Sequence, residues 1–255
     1  MNKELNSLLK AKKHDYKEPA VDLDREEFVK LVKSRRSVRV FTDDEIDSND
    51  IQECLELALF APTSSNLQCW EFYWVKDEDK KEKLKTFCLG QSAARTAKEL
   101  IVCVARIDTW KKNKNAIVEV SEKNKRPISM NYYKKLVPIV YTQGVFGIIG
   151  LLKKILIYFV GLFRVIPREP ASKSDMRVWA HKTTALACQN LMLGLRAFGY
   201  DTCPMEGMDS KRIKSMLNLG RGADISMVIS VGKRAEDGVY GKRFRLDSKN
   251  FIKVI

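Results

Sequence analysis

The sequence has few of the residues that bind metals or cross-link secreted proteins. Its 255 residues include only two histidines, His14 and His181, so we do not expect a histidine-rich metal site. The six cysteines form no Cys-x-x-Cys pair, and most of them lie among apolar residues. Residues 1–13 are polar, with the pattern of a helix, and lack the apolar run of a signal peptide. We therefore expect reduced thiols in a cytoplasmic protein.

Uninterrupted apolar stretches are short. Residues 137–166 are very apolar, but Lys153 and Lys154 lie at their centre and four glycines divide them, so no transmembrane span is predicted. With 45% hydrophobic and 31% charged residues, the chain is typical of one large domain, which we place at 1–255.

Acidic residues are outnumbered, and the basic excess is concentrated in one part of the chain. The net charge is +14, and residues 106–135 hold nine Lys/Arg against three Asp/Glu. Residues 136–170 add four against one. Such a field attracts nucleic acid, an anionic membrane surface or an anionic small molecule. We interpret 106–170 as a basic and apolar insertion in the domain.

Apolar periodicity and capping residues predict alternating helices and strands outside that insertion. Strands are expected at 70–75, 100–105 and 225–231, and a loop or short strand at 200–208. Helices are expected at 24–34, 47–61, 77–89, 92–98, 174–198 and 209–218, with Gly199 ending the long fifth helix. Residues 107–135 are expected to form a loop with short helical pieces.

Three arginines and a serine lie within five residues in the segment Ser34-Arg35-Arg36-Ser37-Val38-Arg39. Arginine presents a fixed fork of donors that matches phosphate oxygens, so the cluster suits a phosphate-bearing cofactor. On its own, it is equally typical of a solvated helix end.

Three further segments offer polar groups to a ligand, although each is also compatible with an ordinary loop. Residues 61–70 provide three hydroxyls and two amides between a helix and a strand. Residues 201–209 contain Gly207, which permits close backbone approach, and Asp209, which can cap the next helix. Residues 241–245 place Arg243 and Arg245 on one side of an extended chain.

Together, the four segments resemble the FMN-dependent nitroreductase family. An R-x-S-x-[RK]-x-F motif matches Arg35, Ser37, Arg39 and Phe41. A P-[ST]-[ST]-x-N-x-Q-x-W loop matches Pro62, Thr63, Ser64, Asn66, Gln68 and Trp70. A P-x-E-G turn matches Pro204, Glu206 and Gly207, and a basic C-terminal clamp matches Arg243 and Arg245. The resemblance covers most of the chain outside 106–170.

The resemblance implies an α+β fold of three layers, in which helices flank a central, mostly antiparallel sheet. It also implies an intertwined homodimer that holds two FMN molecules at the subunit interface, with NAD(P)H as co-substrate. The cofactor-binding residues that it implies are Arg35, Arg36, Ser37, Arg39, Pro62, Thr63, Ser64, Asn66, Gln91, Pro204, Met205, Glu206, Gly207, Arg243 and Arg245.

The resemblance also divides the roles among these residues. Arg35, Arg243 and Arg245 would neutralise the phosphate, and Arg39 would lie near the flavin pyrimidine, where charge develops on reduction. Backbone groups of Glu206 and Gly207 would meet flavin N5, so no catalytic side chain is expected. Whether Arg39, the Ala94 region or Arg95 faces the flavin carbonyls is left open.

The function implied is hydride transfer from NAD(P)H through flavin N5 to a nitroaromatic, quinone or similar small acceptor, with ping-pong kinetics. The alternatives are an FMN-binding storage or sensor protein and a basic protein that binds membrane or nucleic-acid surfaces; no specific nucleic acid is expected. The insertion is interpreted as a lid, as dimer packing, or as a peripheral contact of residues 137–168 with anionic membrane.

Overall fold

A four-stranded antiparallel sheet forms the centre of the protein in a computed structural model, which describes residues 17–124 and 130–255. The strands are β1 (Trp70–Val75), β2 (Glu99–Arg106), β3 (Asp201–Met205) and β4 (Ala223–Gly232), in the spatial order β1-β2-β4-β3. Antiparallel pairing runs throughout, with a register shift in β2 between Cys103 and Val104. The predicted strands are confirmed, and 200–208 contains a strand rather than only a loop.

The described helices lie on both sides of this sheet. Their bounds are α1 Arg25–Ser34, α2 Ser48–Ala58, α3 Glu78–Phe87, α4 Ser92–Arg95, α5 Trp110–Lys123, α6 Val137–Tyr141, α7 Ile148–Phe163, α8 Lys173–Ala197 and α9 Ser210–Met216. Single helical turns occur at Ser64–Asn66, Tyr132–Leu136, Val145–Gly147 and Ser248–Asn250. The expected α+β architecture is confirmed.

The central strand β2 shows why three layers form. All six of its inner residues are buried, and successive side chains point to opposite faces of the sheet. Leu100, Val102 and Val104 belong to the core shared with α3 and α9. Ile101 and Cys103 belong to the core shared with α2 and α8. Each face of the sheet therefore needs its own layer of helices.

The long helix α8 is fixed at both ends by its own sequence. Ser172 and Asp175 form a capping box at its start, where the Ser172 side chain accepts from the Asp175 N–H. At its end, Gly199 adopts a φ of 91°, which glycine reaches without steric cost. The predicted C-terminal glycine is confirmed, and the chain returns directly into β3.

The prediction of a loop with short helical pieces at 107–135 is wrong for its first half. Residues Trp110–Lys123 form one continuous helix, α5. Its inner face is formed by Trp110, Ile117 and Ser121, which recur at helical spacing, but Ser121 is polar and conceals the pattern. Residues 125–129, like the polar helix pattern of residues 1–13, lie outside the described residues.

Helix α7 also differs from the expectation, because its glycines do not divide it. Residues Ile148–Phe163 form a single helix. A Cβ on Gly150 would lie 2.8 Å from the carbonyl oxygen of Ala171, and one on Gly161 would lie 2.6 Å from the Arg168 guanidinium. Both glycines therefore permit close approach of α7 to the segment that follows it.

Candidate functional site

The arginine segment is held against the edge of the sheet by backbone hydrogen bonds. Ser37 forms an isolated parallel bridge with Thr202 of β3, and the Val38 N–H donates to the Thr202 carbonyl at 3.0 Å. The Arg39 N–H donates to the carbonyl of Gly238 at 2.7 Å. Because the Val38 side chain is fully buried, the flanking side chains of Ser37 and Arg39 are directed away from the core.

A buried carboxylate fixes the strand that carries this segment. Asp201, at the start of β3, is only 4% exposed. It accepts from the Arg196 guanidinium at 3.2 Å and from two nitrogens of Arg234 at 2.6 and 3.1 Å. Two cations thus compensate one buried anion, and they join the end of α8 to the segment after β4.

The C-terminal arginines lie beside the N-terminal ones, although about 200 residues separate them in sequence. Arg243 donates to the backbone carbonyl of Arg35, and Arg36 donates to that of Gly241 at 2.6 Å. Burial lowers the pKa of Arg35, and the neighbouring charges of Arg243 and Arg245 lower it further. The two basic clusters therefore form one patch, which we call the arginine cluster (Arg35, Arg36, Arg39, Arg243 and Arg245).

The arginine cluster lacks an acidic partner within the described ranges 17–124 and 130–255. None of the ion pairs formed there includes any of its five members. Like charges held together without compensation are unfavourable, so the cluster fits an anionic ligand that supplies the missing charge.

The turn at 204–207 lies next to Gln91, as expected for a shared site. The Gln91 side-chain amide donates to the carbonyl of Gly207 at 2.7 Å and to that of Cys88 at 2.9 Å. Gln91 precedes the short helix α4, in which Ala94 is fully buried and Arg95 is exposed. The Ala94 side chain is thus covered in the single chain, whereas Arg39 and Arg95, the other two candidates for the flavin carbonyls, are exposed.

No hydrogen bond joins His181 to Glu206 in the described part of the chain, although the Glu206 carboxylate is near enough to act on the pKa of His181. The Nδ1 atom of His181 lies 3.2 Å from the hydroxyl of Ser226. Burial lowers the pKa of His181, whereas the nearby carboxylate of Asp224 raises it. The imidazole is therefore neutral at pH 7 and satisfied by a hydroxyl on β4, as a structural histidine would be.

The serine-rich loop at 62–66 is held by tyrosines of segment 106–170. Hydrogen bonds join the Ser65 hydroxyl to Tyr132 at 2.6 Å and the Ser64 hydroxyl to Tyr141 at 3.2 Å. The Tyr133 hydroxyl donates to the Ser65 carbonyl at 3.2 Å. Ser65 has a φ of 56°, in the left-handed region, so the loop conformation depends on such external contacts.

A cavity of about 460 Å³ lies between this loop and helix α8. Pro62, Thr63 and Ser64 line one side of it, and Trp179 and Lys182 line the other. The Trp179 indole N–H is buried and has no hydrogen-bond partner among the described residues. An unsatisfied buried donor beside a cavity is a feature of a binding site, because a ligand acceptor would remove its cost.

The expected site residues thus fall into two groups. Residues 35–39, 91, 204–207 and 243–245 come together at one edge of the sheet. The loop at 62–66 contacts α6, α8 and the turn Tyr132–Leu136 instead. Within the described part of the chain, no hydrogen bond or ion pair joins the loop to the arginine cluster.

Comparison with known sequences decides the family. The sequence model of the Nitroreductase family matches residues 32–233, which include the arginine segment, the loop and the turn. The chain belongs to the nitroreductase family. The two residues of the C-terminal clamp, Arg243 and Arg245, lie beyond the matched range.

Individual relatives of this nitroreductase-family chain agree in length and fold. Protein DrgA of Synechocystis is 28% identical over 215 residues, which are 82% of this chain and 84% of that protein. A Thermus thermophilus protein named NADH dehydrogenase is 24% identical, over 84% of this chain and 89% of its own. A nitroreductase-like protein from Exiguobacterium sibiricum, crystallised in complex with FMN, superposes with a TM-score of 0.67 at 23% identity and covers 93% and 99% of the two chains.

The structure adds residues to the candidate site that the sequence patterns do not indicate. Tyr132, Tyr133 and Tyr141 fix the serine loop, and Trp179 lines the cavity beside it. The Arg39 guanidinium lies over the ring of Tyr240, with 5.4 Å between its central carbon and the ring centroid. The sequence signal for Tyr132 and Tyr133 is a pair of aromatic residues in an otherwise basic segment, and Tyr141 lies in the apolar stretch that follows.

Proposed function

We propose that this nitroreductase-family chain is an FMN-dependent oxidoreductase that passes hydride from NAD(P)H to a nitroaromatic, quinone or similar small acceptor by a ping-pong mechanism. The observation that supports the proposal best is the arginine cluster, whose cations have no acidic partner among the described residues. When bound, FMN would supply the group that accepts hydride from the nicotinamide and returns it to the second substrate.

The residues present fit the phosphate end of FMN. Arg35, Arg243 and Arg245 are close enough for their charges to act on one another. A dianionic phosphate among them would relieve this repulsion and receive charge-assisted hydrogen bonds from planar donors. Ser37, on the same segment, supplies a hydroxyl for the phosphate or the sugar chain.

The redox end fits the second part of the same patch. Arg39 is exposed and would stabilise negative charge that develops on the flavin pyrimidine during reduction. Gln91 binds the Gly207 carbonyl and so fixes the turn whose backbone N–H groups would face flavin N5. Pro204 and Met205 end β3 directly before this turn, and Glu206 belongs to it. The proposal requires no side-chain acid or base.

The separation of the 62–66 loop from the arginine cluster favours a homodimer. Pro62, Thr63, Ser64 and Asn66 would complete the FMN site of the partner subunit rather than that of their own chain. The apolar C-terminal segment agrees with this, because Phe244, Leu246, Phe251 and Ile252 are all exposed in the single chain. A dimer would cover such residues.

The colour and composition of the purified protein test the proposal. It should be yellow and should release FMN on denaturation. Replacing Arg35 and Arg243 together by alanine should strongly reduce FMN retention, whereas Lys33→Ala, an exposed cation of α1, should not. Full FMN occupancy in the double variant would contradict the assignment of the phosphate site.

Two further assays separate the alternatives. A storage or sensor protein would be yellow, but NAD(P)H would not bleach it under anaerobic conditions. A colourless protein that is retained on heparin and released by modest salt would instead be a basic surface-binding protein.

A further inference from the structure

Helix α7 exposes a continuous apolar face that the proposed oxidoreductase function does not explain. The stretch Val145–Phe163 has a mean hydropathy of 2.0 and is only 6% buried. Side chains that recur three and four residues apart form the face, and each is between 48% and 86% exposed: Ile148, Leu151, Leu152, Ile155, Leu156, Phe159, Leu162 and Phe163. Soluble surfaces rarely expose so many large apolar side chains together.

The two lysines in the middle of α7 do not interrupt this face. The Lys153 ammonium donates to the carbonyls of Val140 at 2.8 Å and Ile139 at 3.2 Å. The Lys154 ammonium lies 3.7 Å from a carboxylate oxygen of Asp175, at the start of α8. The Lys153 charge is thus directed to the protein body, and the half-exposed Lys154 pairs with α8 at the edge of the helix, so neither lies among the side chains of the apolar face.

The helix lies along the protein rather than projecting from it. Contacts near both ends and the middle attach it: Gly150 packs on Ala171, Lys153 binds α6, and the Gly161 carbonyl accepts from Arg168 at 3.1 Å. The stretch Val145–Phe163 is long and apolar enough to cross a membrane by length and composition, contrary to the expectation from its glycines and lysines. Its regular helix has 16 residues and spans about 24 Å, less than the ~30 Å of a bilayer core. Because the three contacts attach its inner side to the protein, the outer side is the one available to the surface layer of a membrane.

Two cations lie at the C-terminal end of the apolar face. Arg164 directly follows the helix and Arg168 binds the Gly161 carbonyl; both are exposed, and neither forms an ion pair with a carboxylate in the described ranges. The surrounding segment 106–170 carries 13 Lys/Arg against four Asp/Glu. Basic groups at the margin of an apolar helix are complementary to anionic lipid headgroups.

We propose that α7 is a membrane-docking helix that lies flat in the surface of an anionic lipid bilayer, with its apolar face in the acyl layer. A second copy of the chain would be a weaker occupant, because protein interfaces combine an apolar centre with polar groups and hydrogen bonds. Ile149 and Tyr158 lie at the edges of the α7 face. Among these two residues and the exposed side chains of the face itself, only Tyr158 has a polar atom. Tyrosine is itself enriched at membrane–water boundaries. The named relatives give no indication of membrane binding, so the proposal depends on this chain's own residues.

Helix α7 is also joined to the candidate site. Lys153 binds the carbonyls at the end of α6, and Tyr141 at the last position of α6 binds Ser64 and Ser65 of the serine loop. The docking face and the loop are therefore two sides of one packed unit.

Co-sedimentation of the full-length protein with vesicles of phosphatidylcholine and phosphatidylserine tests the proposal. The double variant Ile155→Asp, Leu156→Asp places two charges at the centre of the face and should reduce binding at least tenfold. The matched control is Val120→Asp, which alters an apolar side chain of α5 that is 46% exposed, and it should bind as the unaltered protein does. Omitting phosphatidylserine should weaken binding roughly tenfold or more, since the cations lose their partners.

Three results would overturn the proposal. One is unchanged vesicle binding by the double variant, provided that its melting temperature and bound-ligand content match those of the control. Another is a double variant that loses an oligomeric state in light scattering while its vesicle binding persists, which would assign the face to a second copy. The third is absence of binding by the unaltered protein to any vesicle.

Labelled cysteines test whether the helix lies flat. All six native cysteines are buried, so Ile148→Cys, Leu156→Cys and Phe163→Cys would each introduce one accessible thiol. Nitroxide labels at the three positions should report the same shallow depth in the bilayer. A depth that increases steadily from 148 to 163 would contradict the flat orientation.

Discussion

Replacing Arg35 by glutamine should stabilise the protein that holds no cofactor and should weaken the binding of FMN. Its backbone carbonyl accepts from Arg243, but its guanidinium donates no hydrogen bond to another described residue. The substitution therefore removes a charge and leaves the neighbouring backbone contact in place. In the empty protein it relieves repulsion from Arg243 and Arg245, whereas in the complex it removes a donor to phosphate.

The two effects can be estimated separately. Relief of repulsion between partly solvated cations is worth about 0.5–1 kcal/mol, and for a chain of this size that raises the melting temperature by about 1–4 °C. A hydrogen bond to a charged group contributes about 1.5–3 kcal/mol, so the dissociation constant of FMN should rise roughly ten- to 150-fold.

Both quantities can be measured on one preparation. Stripped protein is melted without FMN, and FMN is then titrated while the quenching of its fluorescence is followed. The control, Lys33→Gln, removes an exposed cation of the same neighbourhood and should change neither quantity by more than a small amount. A lower melting temperature of the empty Arg35→Gln protein together with unchanged FMN affinity would refute the reasoning.

Three further predictions follow from contacts outside the arginine cluster. Asp201→Asn leaves two guanidiniums without their buried carboxylate and should lower the free energy of unfolding by about 2–3 kcal/mol in denaturant titration. The native Asp224 pairs with the exposed Arg177, so the control Asp224→Asn should cost less. Equal losses in the two variants would contradict this prediction. The pKa of His181 is lower in the folded protein than in the unfolded chain, so the unfolded chain binds the proton at a higher pH. Stability should therefore fall as the pH decreases below about 6.5. In His181→Gln, the melting temperature should lose the part of its pH dependence that this histidine causes. Tyr141→Phe deletes hydroxyl contacts to the serine loop and should raise KM more than it lowers kcat in steady-state assays, while a change confined to kcat would argue against a positioning role.

The strands of the fold can be predicted from sequence because their burial is unusually complete. Leu100 to Ala105 is an apolar run that only a strand covered on both faces would need, and β4 has the same character. The end of α8 can equally be predicted, since Gly199 stands where the helix must end, whereas the capping box of Ser172 and Asp175 at its start was not predicted.

Segment 106–170 is harder to predict because its packing depends on few and unusual residues. In α5, a polar serine occupies an inner position, so the apolar period is incomplete. In α7, Gly150 and Gly161 resemble helix breakers in sequence, yet each permits a close contact with the following segment. The tyrosines that hold the serine loop act across about 70 residues of chain, and no local pattern reports such a contact.

The candidate site can be predicted from the sequence only in part. The motifs predict which residues would contact a flavin phosphate, and the structure brings two of them, Arg35 and Arg243, together across the chain. The loop at 62–66 lies apart from them in the single chain, which the proposed homodimer would explain.

Anaerobic titration of the purified protein with NADH and NADPH tests the central claim most directly. The account predicts that the absorbance of bound, oxidised FMN is bleached by about one equivalent of at least one nicotinamide and returns when a quinone or nitroaromatic acceptor is added. A colourless protein, or bound flavin that neither nicotinamide reduces, would contradict it.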